Sequence, residues 1–245
     1  MIKKIEIWDT PVYLVGDLYK KDELDNDGLD LGNLKNCILF FLGNMVFANK
    51  EDAMDKFAKL DQELCARNII SYVIKGDSDN PELWADETKW PPFKSFQAVD
   101  SNTRIELNGN RGIIISGAIN PKEADVKGEI EHFRHKVDMP PDIVDYGENL
   151  KKIDFVIGHS GPVLSDFFKD RADLQKLYLD KGFFKEVYAD EQKEFRAILK
   201  RYRPNRWYCG HYNISKDTKF VWDNWSDDGA IHLKILKKNE IIRIA

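Results

Sequence analysis

Five segments of the chain run from an apolar, β-type stretch into a glycine that is followed at once by a polar residue. Glycine permits a sharp backbone turn, and Asp, Asn and His side chains coordinate metal ions or form hydrogen bonds. Loops at strand ends are the usual place for chemistry in α/β proteins. The sequence therefore predicts that the five turns converge on one pocket. Their polar residues are Asp17, Asn44, Asp77, His159 and His211.

Taken singly, each turn also fits an ordinary structural role, because Gly-Asp and Gly-Asn are common turn dipeptides. Their order along the chain resembles the five motifs of the calcineurin-like metallophosphoesterases, and the compact bacterial and phage members most closely. Those motifs run Asp-x-His, Gly-Asp, Gly-Asn-His, a His before a small-residue/Pro turn, and Gly-His-x-His. The matching segments are GDLY at 16–19, GN at 43–44, GDSD at 76–79, GH at 158–159 and GHYN at 210–213.

The resemblance covers nearly the whole chain, and it implies a fold, a metal centre and a reaction class. The implied fold is a four-layer αββα sandwich of two mixed β-sheets flanked by helices. In the family, two metal ions together activate a hydroxide and polarise the phosphate of a phosphoester. The implied protein is therefore a hydrolase, unless its metal ligands have been replaced.

Several family positions do carry a different residue here. Tyr19 stands where the first motif has a His ligand, and Asn213 stands where the fifth motif has its second His. Ser78 occupies the position of the family's catalytic His, and a hydroxyl does not donate protons near neutral pH as an imidazole does. Among the ligands implied for the first metal, only Asp17 keeps its usual type. Ordinary two-metal activity is therefore not expected.

The second metal's ligand set is better kept. The resemblance assigns it to Asn44, Asp77, His159 and His211, with the bridging Asp replaced by Asn44 and the usual Asn replaced by Asp77. Two imidazoles and a carboxylate suffice for one Zn²⁺, Mn²⁺ or Fe²⁺ ion. The expected cofactor is thus one divalent ion or none.

Two functions follow from this reading. In the first, the chain is a pseudoenzyme whose pocket binds a phosphorylated ligand or a protein partner without turnover. In the second, it is a mononuclear phosphoesterase that hydrolyses a phosphomonoester or phosphodiester, with Asp17 orienting the attacking water. The feature that separates the two functions is whether Asp77 and the two histidines close around an ion despite Asn44.

Strand-type segments predict the elements that must position these turns. Apolar residues recur at helical spacing between residues 50 and 67, and an Asn-Gly-Asn turn at 108–110 predicts a β-hairpin. A long helical region is expected to end in the basic segment 200–206, as the solvated end of a helix. Residues 1–245 read as a single domain with two sheets and helices outside them.

Composition limits the expected partners and cellular location of the chain. The net charge of −5 argues against a general nucleic-acid or anionic-membrane surface, and the longest apolar run, 37–43, is too short to cross a bilayer. The three cysteines show no CxxC spacing, so reduced thiols and a cytoplasmic location are expected.

Other candidate residues carry weaker signals. His132 and His135 fit a polar helix surface better than a ligand pair, and His232 fits a strand face. Four tryptophans near acidic loops, in 84–93 and 221–228, fit either loop packing or a ligand-binding frame. The chain lacks the Gly-x-Ser-x-Gly elbow of a Ser-His-Asp hydrolase.

Overall fold

The computed structural model describes residues 2–20, 23–24, 29–45, 51–77, 79, 92–118, 153–162, 182–221 and 230–245. These residues form thirteen strands and two helices. The strands are β1 (Ile2–Ile7), β2 (Val12–Val15), β3 (Tyr19–Lys20), β4 (Glu23–Leu24), β5 (Cys37–Phe41), β6 (Ile69–Ile74), β7 (Phe96–Leu107), β8 (Asn110–Ile115), β9 (Phe155–Gly158), β10 (Arg206–Cys209), β11 (Lys216–Val221), β12 (Ala230–Ile235) and β13 (Ile241–Arg243). The helices are α1 (Glu51–Ala66) and α2 (Gly182–Tyr202).

Eleven of the strands belong to a single mixed sheet, so the expected four-layer sandwich of two sheets is wrong. The strand order is β11-β12-β10-β9-β8-β7-β6-β5-β2-β13, and β1 also pairs with β7. Strands β3 and β4 form a separate two-stranded ribbon.

The long strand β7 is the physical reason why the sheet does not divide. Its residues 96–99 pair in parallel with β6, and its residues 104–107 pair antiparallel with β8. One strand therefore carries backbone hydrogen bonding from one half of the sheet to the other without a break.

The sheet has two parallel arms. The first arm contains β2, β5 and β6, and the second contains β8, β9, β10 and β12. Strand β7 continues past the end of β6, and β8 returns along it until the N–H of Gly117 donates to the carbonyl of Lys75 at 2.9 Å. The carboxyl ends of the two arms therefore meet in one place.

The central core draws on both arms, so the sheet curls around it. Phe40 and Ile74 of the first arm share this core with Ile114 and Ile157 of the second arm. The middle strand of the first arm, β5, is buried along its full length, as expected for a parallel strand covered on both faces. Burying each such side chain stabilises the fold by roughly 1.5–3 kcal/mol.

The two helices cover the arms separately. In α1, Phe57, Leu60 and Leu64 recur at helical spacing and pack in a core shared with β5 and β6. In α2, Phe195 and Leu199 pack in a core shared with the second arm. These two cores hold the strands on which the polar turns sit.

The predicted helix at 50–67 and the hairpin at 108–110 are both confirmed, by α1 and by the β7–β8 turn. Lys200 and Arg201 lie exposed in the last turn of α2, as expected for the basic segment. Within the described ranges, the helices lack the combination of length and apolar character that crossing a membrane requires.

Candidate metal centre

The structure brings the five polar turns together where the two arms meet. Asp17, Asn44 and Asp77 follow β2, β5 and β6 of the first arm, whereas His159 and His211 follow β9 and β10 of the second. All but His211 are buried, and the His211 side chain itself is only 4% exposed. Parallel pairing within each arm explains this arrangement, since parallel strands end at the same edge.

Asp77 lies at the centre of the cluster. Its Oδ1 accepts a hydrogen bond from Asn44 Nδ2 at 2.9 Å, and it lies 2.9 Å from His159 Nε2 and 3.4 Å from His211 Nδ1. One carboxylate oxygen is therefore shared by an amide and two imidazoles. A charge-assisted cluster of this kind needs a proton or a cation to balance it.

Asn44 bridges the two carboxylates of the site. Its side-chain amide donates one hydrogen to Asp77 and the other to Asp17 Oδ2, at 3.2 Å. The Oδ1 of Asp17 accepts the backbone N–H of His211 at 3.2 Å. Asn44 thus presents hydrogen-bond donors, where an aspartate would present a further metal ligand.

His159 is oriented from behind by a backbone carbonyl. Its Nδ1 lies 2.6 Å from the oxygen of Leu42, and because a carbonyl only accepts hydrogen bonds, Nδ1 carries a proton. The ring therefore turns Nε2 towards Asp77. This is the arrangement by which metal-ligating histidines are held in the correct tautomer.

Burial and charge act in opposite directions on the titrating groups. Burial alone would lower the pKa of His159, but the charge of Asp17 and the hydrogen bond to Asp77 outweigh it and raise that pKa to about 9. Burial would raise the pKa of Asp77, yet His211 and His159 hold it well below its usual range. The pKa of Asp17 is raised, chiefly by burial.

These directions describe how the cluster is balanced without an ion. Both directions favour an ionised Asp77 that accepts a hydrogen bond from protonated His159 Nε2, 2.9 Å away. A metal ion requires the unprotonated nitrogen and would take the place of this proton.

The donor set fits a single metal ion. One ligand atom each from Asp77, His159 and His211 lie within 4.8 Å of one another. Two imidazole nitrogens and a carboxylate oxygen form a common ligand set for a transition-metal ion, with further positions left open. The chain therefore has a His/Asp cluster that can hold one ion.

Supporting groups also surround the site, and sequence reasoning did not find their roles. Asp79 is buried and accepts backbone hydrogen bonds from two of the turns. The Tyr212 hydroxyl donates to the carbonyl of Gly161 at 3.0 Å and lies 2.8 Å from Ser160 Oγ, which fixes the turn after His159. Their place in the sequence could have indicated these roles, because each residue stands within two positions of a predicted ligand.

The remaining predicted positions lie elsewhere or outside the described residues. Asn213 is exposed, and its Oδ1 accepts the N–H of Lys238 at 3.4 Å. Tyr19 lies in β3, but its side chain is outside the description, as are Ser78 and the segments carrying His132, His135 and the four tryptophans near acidic loops. His232 lies on β12, as predicted, and pairs with Asp217.

Comparisons with protein-family models and with curated proteins find no match for this chain. The resemblance to metallophosphoesterases therefore rests on the five turns, and what it implies about function is a proposal.

Proposed function

We propose that the chain is a metallophosphoesterase-like binding protein whose site holds one divalent ion and takes a phosphorylated ligand without efficient turnover. The observation that carries this proposal is the amide of Asn44, which donates to both Asp17 and Asp77. A carboxylate at this position could coordinate two ions at once, whereas the NH₂ group of an amide does not coordinate a metal ion. The site therefore favours a single ion.

The ion would be held by Asp77, His159 and His211. A mixed imidazole and carboxylate set suits Zn²⁺, Mn²⁺ or Fe²⁺, and the Leu42 carbonyl already selects the His159 tautomer that such binding needs. When bound, a divalent ion supplies a positive charge that attracts phosphate oxygens and acts as a Lewis acid.

Among the side chains that the structure describes, a second ion has a poorer donor set. On that side of the cluster Asp17 already accepts hydrogen bonds from Asn44 and from the backbone of His211. Asn213, at the position of the family's second His in the last motif, is exposed and accepts a bond from Lys238. Without two ions, the transition-state stabilisation typical of two-metal phosphoesterases is absent.

A mononuclear phosphoesterase is the second candidate. It is favoured by the three-ligand set itself, because catalytic single-metal sites commonly use three protein ligands and leave a position open. In this case Asp17, 3.6 Å from His159, would orient the attacking water through its carboxylate.

Elemental analysis of protein purified without chelator, followed by phosphoester assays with added Mn²⁺, separates the candidates. We expect close to one ion per chain, binding of inorganic phosphate by the metal-loaded protein, and no hydrolysis of bis(p-nitrophenyl) phosphate or p-nitrophenyl phosphate. His211→Ala should lose the ion. His232→Ala, a histidine paired with a carboxylate outside the cluster, should retain it.

Two other results would change the proposed function. Turnover that disappears with the ion in His211→Ala would replace the binding protein by the enzyme. A chain that binds no ion at any Mn²⁺, Zn²⁺ or Fe²⁺ concentration tested would refute both candidates.

We propose a cytoplasmic location as well. All three cysteines are free thiols, which is the usual state in a reducing compartment, and the net charge of −5 disfavours a general nucleic-acid partner. The partner class that the site favours is a small molecule or protein segment carrying a phosphate.

A further inference from the structure

Asp79 joins two of the ligand-bearing turns through their backbones. Asp79 is 1% exposed, and its Oδ2 accepts the N–H of Gly76 at 2.6 Å and the N–H of Asn44 at 3.1 Å. Gly76 immediately precedes Asp77, so one carboxylate oxygen holds the backbone of the second turn against that of the third.

The second turn needs such a hold because its backbone is unusual. Gly43 has a φ of +108° and Asn44 a φ of +51°, a left-handed pair that few residue types other than glycine and asparagine adopt readily. The hydrogen bond from the Asn44 N–H to a buried carboxylate favours this conformation. The same conformation points the Asn44 amide at Asp17 and Asp77.

We propose that Asp79 is a positioning residue for the metal site: it fixes the Asn44 turn against the Asp77 turn and so sets the placement of the Asp77 carboxylate. Asp79 acts through the backbone and through Asn44. This inference rests on the proposed metal site, because the placement matters for function only if Asp77 binds the ion.

Asp61 offers a matched control elsewhere in the fold. It is also a buried aspartate, 7% exposed, and its carboxylate accepts the backbone N–H groups of Lys94 and Ser95 at 2.8–3.1 Å. Losing the charge at Asp61 therefore disturbs a comparable set of bonds between α1 and residues 94–95, outside the five turns. The pair separates a positioning effect from general destabilisation.

The test measures Co²⁺ binding by Asp79→Asn and Asp61→Asn, using the visible absorption of the bound ion and competition with a coloured chelator. Removing a partner that orients a ligand from behind typically weakens metal binding by about 10–100-fold. We expect a loss of about tenfold or more, with an altered Co²⁺ spectrum, in Asp79→Asn. In Asp61→Asn, affinity should stay within about twofold of the parent and the spectrum should be unchanged, because its bonds lie outside the cluster.

Urea unfolding of both variants confirms that the binding data come from folded protein. Folded Asp79→Asn with the parent's Co²⁺ affinity and spectrum would overturn the proposal. An equal loss of affinity in Asp61→Asn would also overturn it, because the effect would then be general destabilisation.

A metal-free measurement keeps the two proposals apart. If the parent chain binds no Co²⁺, the proposed metal site fails, and Asp79 is tested through the side-chain amide signals of Asn44 in ¹H–¹⁵N spectra, assigned by their loss in Asn44→Ala. Displacement of these signals in Asp79→Asn but not in Asp61→Asn would support the positioning role. Unmoved signals in Asp79→Asn would refute it.

Discussion

Replacing Asn44 with Asp changes the amide that donates to both carboxylates of the candidate metal centre. The Asn44 amide donates to Asp17 Oδ2 at 3.2 Å and to Asp77 Oδ1 at 2.9 Å. An aspartate of the same shape puts a carboxylate oxygen where the NH₂ group was. In the metal-free protein, two hydrogen bonds are then lost and three carboxyl groups come into contact.

The expected loss of stability follows from these contacts. A hydrogen bond to a charged group contributes about 1.5–3 kcal/mol, so the two bonds together contribute about 3–6 kcal/mol. Two like charges 4 Å apart also repel by about 4 kcal/mol at an effective dielectric constant of 20. One carboxyl relieves this repulsion by binding a proton, which restores one hydrogen bond.

We therefore expect Asn44→Asp to lose about 3 kcal/mol of unfolding free energy at pH 7 without metal, and less at pH 5, where the proton binds more readily. For a chain of this length, the loss corresponds to a fall in Tm of about 6–12 °C. Added Mn²⁺ should reverse it, because an ion that binds only the folded state stabilises that state.

Thermal unfolding in chelator and in Mn²⁺ tests this reasoning, with Asn44→Ala as the control. The alanine variant loses the same two hydrogen bonds without adding a charge, so Mn²⁺ should stabilise it less than it stabilises Asn44→Asp. Elemental analysis should also find more ions per chain in Asn44→Asp than in the parent. Parent-like stability of Asn44→Asp in chelator, or equal stabilisation of both variants by Mn²⁺, would refute the bridging role.

Three further predictions concern the groups around the bridge. The pKa of His159 is raised to about 9, from about 6.5 in the unfolded chain. The charged imidazole therefore stabilises the folded state fully below pH 6.5, and this stabilisation is lost as the pH rises towards 9. Urea titrations in chelator should show the free energy of unfolding fall over this range, and bound Zn²⁺ should remove the pH dependence. Tyr212→Phe removes the hydroxyl that donates to the Gly161 carbonyl at 3.0 Å and leaves that oxygen the longer contact from Gln192 Nε2 at 3.5 Å. The variant should lose about 0.5–1.5 kcal/mol in urea unfolding, with metal stoichiometry unchanged; parent-like stability would contradict this. In Gly43→Ala, the added Cβ would clash with His159 Nδ1, and alanine would be strained at a φ of +108°. The variant should lose at least about 2 kcal/mol of unfolding free energy and bind metal more weakly. A stable variant that binds metal normally would argue against the described turn.

The strands were readable from the sequence, but their assembly into one sheet was not. The Asn-Gly-Asn turn at 108–110 predicted the β7–β8 hairpin, and the apolar alternation of its first strand begins only near Arg104. The preceding Asp100, Ser101 and Asn102 are poor strand formers, yet they lie inside β7. This weak stretch joins the two arms, so local propensity missed the feature that decides the topology.

For the site, the sequence predicted the residues but not the contacts between them. Glycine followed by a polar residue identified all five side chains that meet at the carboxyl ends of the arms. Sequence spacing gave no sign that the Leu42 carbonyl would face His159 Nδ1, since 117 positions separate the two residues. Contacts made by the backbone of a distant strand depend on register, which is a property of the assembled sheet.

The charges of the cluster support the proposal that it holds a single divalent ion. Asp17 and Asp77 together supply two negative charges, enough to balance one divalent cation. Without the ion, a proton on His159 partly supplies that balance, which is why the pKa of His159 is raised to about 9. A second divalent ion would need another carboxylate near the centre, and Asn44 places a neutral amide there, 2.9 Å from Asp77. Because that amide donates to both carboxylates, we expect it to hold them together when no ion is bound.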